Sequence, residues 1–356
     1  MIWTFWALEF SIYLPGAFFS FIGNYFDLLG FSDLQIGILG STAGFVILIS
    51  SPFWLHLSDR RIKNPILAFL SFASALLIWA IYFSKGFWTI FLFTVTVGFF
   101  WTAIVPVAES ITTYNSIQKN FSFGKTRMMG SIGFTFMMFI FGYVTNNFIF
   151  FLLGSLSFLT VGIMTFVIPK TRGYNEGALI SFSIRSLPPQ FYRMLLFEFL
   201  VNFPEAFAFY FMPVFMRSRG YPTLFAGMAM GVQALAEVPF LFVADKIIKK
   251  IGIKKVLVIA SLTMGVRWIL TFAISNPLII VAIQTLEFFN WIAIYYAVFY
   301  YINTKIGASR RSDAQSLFWM ITSGFTAITG YVLGGELSNV IGVAIAISSL
   351  AFLRFS

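Results

Sequence analysis

The 356-residue chain has no cysteine, one histidine and few charges, and each shortage closes off a class of function. Without cysteine there is neither a disulfide framework nor a thiolate metal site. A single histidine, His56, excludes a histidine-cluster metal centre and a serine–histidine triad elsewhere in the chain. Charged residues make up 10% of the sequence, against about 25% in a soluble domain. Because 59% of residues are hydrophobic and 20% aromatic, most of the surface has to face something apolar, and a bilayer is that solvent. The formal charge of +10 does not argue for a nucleic-acid partner, because the basic residues sit in short loops between apolar runs. No cofactor and no metal are expected. The first apolar run starts at Ile2 without a basic stretch before it and exceeds signal-peptide length, so a cleavable leader is not expected.

A hydrocarbon core of ~30 Å takes about 20 helical residues to cross. Runs of that kind lie near 2–27, 33–56, 65–83, 87–114, 128–146 and 148–168, then near 193–216, 222–244, 256–274, 277–303, 314–335 and 338–355. The last is short. Basic residues concentrate between spans two and three (Arg60, Arg61, Lys63), four and five (Lys119, Lys125, Arg127), six and seven (Lys170, Arg172, Arg185, Arg193), eight and nine (Lys246 to Lys255) and ten and eleven (Lys305, Arg310, Arg311). The other side offers Lys85, Arg217 and Arg219. The positive-inside rule then puts both termini in the cytoplasm of a multi-pass plasma (inner) membrane protein.

The polar stretch from Pro169 to Gln190 reads as a linker. The expected organisation is a six-helix bundle over 1–168, a cytoplasmic linker over 169–192 and a second six-helix bundle over 193–356. The halves echo each other. Gly30-Phe31-Ser32-Asp33-Leu34-Gln35-Ile36-Gly37 and Gly220-Tyr221-Pro222-Thr223-Leu224-Phe225-Ala226-Gly227 both read G-aromatic-x-x-L-x-x-G at the start of the second span of their half. Each of those spans ends in an Asp-basic step, Asp59-Arg60 and Asp245-Lys246. Parallel repeats of this kind describe transporters in which one half rocks against the other.

At these residues the chain resembles the major facilitator superfamily, and more narrowly the lactose-permease-like oligosaccharide/proton symporters and the related phenylpropionate-permease-like branch. The likeness runs over nearly the whole chain. Ser58-Asp59-Arg60 stands where the superfamily keeps its loop signature, with Leu55 in place of the usual opening glycine. Glu109 with Phe123-Gly124-Lys125-Thr126-Arg127-Met128 and Gly130 is similar to the permease pattern on the fourth and fifth spans. That resemblance implies that Glu109 and Arg127 pair and hold the substrate, and that Phe134 stacks on it. Ala236-Glu237-Val238 and Val266-Arg267-Trp268 are similar to the phenylpropionate branch. Gln284-Thr285-Leu286-Glu287 departs from both, which usually carry a histidine after the leucine; the permease proton carboxylate falls on Asn290, and its eighth-span acid nearer Ala234 than Glu237. The implied fold is all-α, with twelve transmembrane helices in two six-helix halves, usually working as a monomer.

The residues support a carrier on their own account. An ionised side chain at mid-bilayer costs ~2.5–3.5 kcal/mol on insertion scales, so buried ionisable groups usually face a cavity and a partner. Glu109, Glu198, Glu205, Glu237, Arg267 and Glu287 lie inside spans, with Glu9 nearer the cytoplasmic end of the first. Arg267 and Glu287 fall at similar depth on consecutive antiparallel spans and are expected to pair, either as a proton-coupling switch or as a static packing element. Glu205 and Glu237 have no basic neighbour in sequence; each reads as a proton carrier or as a neutral, hydrogen-bonded group. Glu198 is expected to reach the interface. On spacing alone Arg127 reads as a topological charge. Asn290 with Trp291, and Gln315 four residues before Trp319, are candidates for the substrate cavity, although aromatic residues mostly pack. Asp59, Arg60 and Asp245 are expected to latch the halves in one access state.

Proton-coupled import of a small solute (a sugar, nucleoside or aromatic acid) is the reading these features favour. Proton-antiport efflux of hydrophobic compounds is the alternative; it fits the aromatic content but lacks the Gly/Pro pattern often found on the fifth span of such pumps. An intramembrane enzyme would need a nucleophile–base or metal constellation, for which only carboxylates are on hand.

Overall fold

The computed structural model describes residues 2–173, 187–307 and 310–341, and among these it is helical apart from turns and one isolated bridge between Ile62 and Arg172. The first half of the chain supplies α1 (Ile2–Leu28), α2 (Asp33–Asp59), α3 (Lys63–Phe83), α4 (Phe87–Trp101), α5 (Ile104–Gln118), α6 (Phe123–Tyr143) and α7 (Asn147–Val167). The second supplies α8 (Pro189–Tyr210), α9 (Met212–Ser218), α10 (Thr223–Ile251), α11 (Ile253–Ala273), α12 (Pro277–Ile283), a 3₁₀ segment (Gln284–Phe289), α13 (Trp291–Lys305), α14 (Arg311–Trp319), a π-helical turn (Met320–Phe325) and α15 (Thr326–Ile341).

Several pieces combine into single crossings. Proline explains two of the joints, since it lacks the N–H that would bond the carbonyl four residues earlier. Pro106 strands the Thr102 carbonyl where α4 gives way to α5, and Pro213 strands that of Phe209 where α8 bends by 50° into α9. Among the described residues, nine helical stretches are long and apolar enough to cross a membrane, and the bent α8–α9 pair makes a tenth. α6 is 21 residues long but less apolar, diluted by Arg127, Ser131 and its glycines. It needs less lipid-facing surface because it lies between α1 and α10.

Eleven expected spans therefore have helical counterparts. The twelfth, expected over 338–355, lies outside the described residues beyond 341, and its first four positions continue α15. The expected start of the fifth span at 128 is corrected to Phe123: Ser122 caps the helix by accepting from the Lys125 amide, which brings Lys125 and Arg127 inside it. α8 starts at Pro189, within the stretch read as linker. Residues 174–186 of that stretch are outside the described residues, but its beginning is anchored. The Lys63 amide donates to the Thr171 carbonyl, that of Gly173 to Arg61, and Asn64 bonds the Thr171 amide.

α1 packs on α6 and α7, and α3 on α4 and α7; in the second group α10 packs on the 3₁₀ segment, α11 on α13, and α8 on α15. The groups meet along two seams, α2 against α15 and α6 against α10. The echoed octapeptide builds both. Its first glycine, Gly30 or Gly220, adopts a positive φ (81° and 76°) that ends the preceding helix and turns the chain. Its last glycine sits in a seam: Gly37 lies against the Tyr331 carbonyl, and a Cβ on Gly227 would stand 2.7 Å from the Cα of Gly142. Both contacts lie toward the end opposite the basic loops.

Overpacking such a contact costs about 1–3 kcal/mol. Gly227→Leu is therefore expected to hold that end apart. The check is labelling of Ser20→Cys, a cavity position in a chain with no other cysteine, which should react several-fold faster with a membrane-impermeant thiol reagent added from that side.

Candidate functional site

Between the two groups lies a cavity of ≈ 400 Å³, within the range of small-molecule sites. Its wall is largely aromatic, with Tyr13, Phe19, Trp101, Phe134, Phe209, Tyr210, Trp291, Trp319 and Tyr331 contributing. Phe19 stacks on Trp101 at 4.2 Å and Tyr210 on Tyr331 at 4.4 Å between ring centroids, which presents flat faces to the space. Three charged residues interrupt this wall: Arg127, Glu205 and Glu237.

Arg127 belongs to a cluster built by α1, α5 and α6. Its Nε lies 3.3 Å from Oε1 of Glu109, the Tyr13 hydroxyl donates to the same oxygen at 2.7 Å, and the guanidinium lies over the Tyr13 ring at 3.9 Å. Gly130 makes the room, since a Cβ there would overlap the Tyr13 ring and stand 2.8 Å from Arg127 Nη1. Arg127 is 3% exposed, so its reading as a topological charge is corrected. Its Nε faces Glu109 and its Nη1 is buried without a hydrogen bond, which leaves donor capacity on a residue of the cavity wall. Glu109 stands behind Arg127 rather than in the cavity wall. Glu9, one helical turn before Tyr13, is fully buried next to this cluster.

Arg267 centres the second cluster. It forms an ion pair with Glu287 at 2.7 Å and bonds Glu205 at short range and Gln284 at 3.3 Å, while the Trp268 indole and Gln233 donate to Glu205. Local backbone explains the arrangement. In a 3₁₀ helix, side chains at i and i+3 eclipse, so the tightening at Gln284 points Gln284 and Glu287 together at Arg267. The structure thus brings Arg267 and Glu287 together, and corrects the view of Glu205 as lacking a basic neighbour. Only Glu205 of this triad reaches the cavity wall.

Glu237 accepts a hydrogen bond from Ser131 at 2.7 Å across the α6–α10 seam, and Thr135 donates to the Gly231 carbonyl one turn further on. Among the described residues, no basic side chain bonds Glu237. Glu198 does not reach the interface as expected. Nine residues into α8, it is fully buried and accepts from Asn202 at 2.8 Å and Thr322 at 2.6 Å.

Phe134 and Trp291 line the cavity, Phe134 against Gly16 and Phe209. Asn290 and Gln315 do not. Asn290 is fully buried at the irregular joint between the 3₁₀ segment and α13, and Gln315 is half-buried on α14 before the helix reaches the cavity at Trp319. Among the described residues, those expected to latch the halves make no ion pair or hydrogen bond across the groups, and two of them bond within their own half. Asp59 pairs with Lys63 at 2.5 Å, Asp245 accepts from Tyr296 at 3.2 Å, and Arg60 is exposed. An ion pair that does join the two groups lies at the other end, Asp27 of α1 with Arg217 of α9 at 3.1 Å. Sequence reading missed it, along with Tyr13 and Ser131. Only Tyr13 left a trace, standing one turn from Glu9 in an otherwise apolar run.

Comparison with known proteins follows the geometry. Residues 5–347 match the MFS_1 like family. The chain is 26% identical to the maltose permease of Geobacillus stearothermophilus over 277 residues, 76% of this chain and 70% of the permease. It is 22% identical over 358 residues to the "Probable 3-phenylpropionic acid transporter" of Escherichia coli K12, covering 94% of this chain and 93% of that one. The crystal structure of a point mutant of the nucleoside transporter NupG superposes with a TM-score of 0.82 over 99% of this chain and 97% of NupG, at 16% identity.

Proposed function

Because the chain belongs to the MFS_1-like family, and so is a multi-pass membrane transporter of the major facilitator fold, we propose that it is a proton-coupled symporter of a small solute bearing both a flat face and polar groups. A nucleoside, a sugar or an aromatic acid fits that description. In this reading the solute binds in the central cavity and is exposed alternately to the two sides as the groups rock about their seams. Arg127, backed by Glu109, orients it by charge-assisted hydrogen bonds, and Phe134, Trp291 and the stacked aromatic pairs cover its ring. The chain lies in a bacterial plasma membrane as a monomer with both termini cytoplasmic, in line with the placement of its basic loops.

The observation that carries the coupling is the buried triad of Arg267 between Glu205 and Glu287. One guanidinium faces two carboxylates from different elements, and one of the two, Glu205, touches the cavity. When a solute or a rocking step draws Arg267 toward one partner, the other loses its counter-charge and takes up a proton. Glu237, bonded to Ser131 across the seam, registers whether the groups are together.

Lightly buffered, de-energised cells making the protein test this directly. Adding sugars, nucleosides and aromatic acids one at a time should give, for one class, a transient rise in external pH that a protonophore abolishes. Glu287→Gln should abolish proton-driven accumulation of that solute; accumulation at the wild-type level would remove Glu287 from the coupling route. The aromatic cavity also suits efflux of hydrophobic compounds by proton antiport. Silence across the panel, with extrusion of such compounds by the same cells, would favour that reading.

A further inference from the structure

One buried acid takes no part in either arginine cluster. Glu198 is fully buried on α8, and among the described residues no lysine or arginine bonds it. Its Oε1 is satisfied by the Asn202 amide (2.8 Å) and the Thr322 hydroxyl (2.6 Å), while its Oε2 makes no hydrogen bond. The Asn202 side-chain oxygen, 3% exposed as a residue, is likewise buried without a donor. Two unpartnered oxygens thus lie one helical turn apart on α8. Both are acceptors, so what the cluster is short of is a donor or a cation.

The neighbouring element suits a cation. Thr322 lies within the π-helical turn Met320–Phe325, where the regular ladder is interrupted and the Thr326 hydroxyl is drawn onto the Thr322 carbonyl. Helix interruptions at the centre of transporters are where oxygens become free to hold a coupling ion. Access is also provided, since Asn202 and Thr322 both line the central cavity and Glu198 stands directly behind them.

We propose that Glu198, Asn202 and Thr322 form a sodium site, separate from the Arg267 triad and open to the solute cavity. Its donor set is oxygen only: one carboxylate, one amide carbonyl and one hydroxyl, with cavity water completing the shell. Oxygen donors are the choice of hard cations. A single carboxylate matches a monovalent charge, and among the described residues no group of three or more acidic or histidine side chains could serve a divalent one. Sodium here would bridge α8, which bears the cavity-lining Phe209 and Tyr210, to the π-helical turn that follows Trp319.

The test is equilibrium binding of ²²Na⁺ to the purified full-length protein in detergent or nanodiscs, with no solute present. Saturable binding near one ion per chain is expected. It should weaken at least about tenfold in Glu198→Gln, a loss at the lower end of what altered metal sites show. Thr322→Val, which keeps shape and carboxylate but removes a ligand oxygen, should weaken it as well and covers the case in which Glu198→Gln fails to fold. Glu336→Gln, which removes an exposed carboxylate from α15, should bind as the wild type does. No saturable ²²Na⁺ binding would overturn the site and leave Glu198 as a proton-only group. So would wild-type binding in folded Glu198→Gln and Thr322→Val. Because the assay needs no solute, it fails or succeeds independently of the alkalinisation experiment.

Discussion

Arg267→Gln is expected to cost about 3–5 kcal/mol of stability, the usual penalty for removing one partner from a buried ion pair. Arg267 is fully buried and is the cation that pairs with both Glu205 and Glu287. With glutamine in its place, the two carboxyls face each other and Gln284 with no counter-charge between them. Thermal unfolding of the detergent-purified variant, followed by intrinsic fluorescence, is the measurement, and a midpoint equal to the wild type's would refute the triad as described. A triple variant separates folding from coupling. Adding Glu205→Gln and Glu287→Gln turns the cluster into a set of neutral amides of the same shape, which removes the unpaired charges. That variant should recover most of the lost stability yet carry no proton-driven accumulation.

Arg127→Lys should leave the fold nearly intact and lower solute uptake roughly 100-fold, equivalent to about 2.7 kcal/mol of binding. The charge is kept, so Glu109 still has a counter-ion. What is lost is the planar fork. The guanidinium lies over the Tyr13 ring at 3.9 Å with its Nε toward Glu109, while its Nη1 remains without a hydrogen bond. An ammonium on a flexible stem can neither stack in that way nor offer paired donors in a fixed plane. Initial-rate uptake of the solute that gives the alkalinisation signal measures the effect, with thermal stability as the control. Uptake within a few-fold of wild type would mean that Arg127 does not touch the solute.

How far these sites could be read from sequence depended on the range of the interactions. The pairing of Arg267 with Glu287 follows from equal depth on consecutive antiparallel spans, a local calculation. Glu205 could not be added that way: it lies 62 positions from Arg267 on a different crossing, and nothing in an apolar run says which neighbour a helix will meet. Arg127 was ambiguous because a basic residue near a span start is the commonest topological signal. The cap at Ser122, two residues before Gly124, is what draws it inward. The misreading of Glu198 has the same source, since its partner Thr322 is 124 positions away. The octapeptide echo was visible as a repeat, but its use was not: that Gly37 and Gly227 each carry a seam depends on what stands opposite, Tyr331 in one case and Gly142 in the other. The loop acids Asp59 and Asp245 invite an inter-half reading, but in this structure they bond Lys63 and Tyr296 of their own halves.

The buried charges also make the molecule an electrical object. Among the described residues, and leaving aside Lys63 and Asp313 at helix starts, the crossings enclose the glutamates Glu9, Glu109, Glu198, Glu205, Glu237 and Glu287 and the arginines Arg127 and Arg267. Four carboxyls are therefore left for cations from solution to balance, and the number aboard sets the net charge that the carrier presents to the membrane field. Each uncompensated elementary charge moved through a 100 mV potential is worth ~2.3 kcal/mol, a shift of about 50-fold in the resting equilibrium. A protein with matched acids and bases would be indifferent to that field. On the proposed cycle this one is expected to respond to it, with voltage helping to decide which side the empty carrier faces.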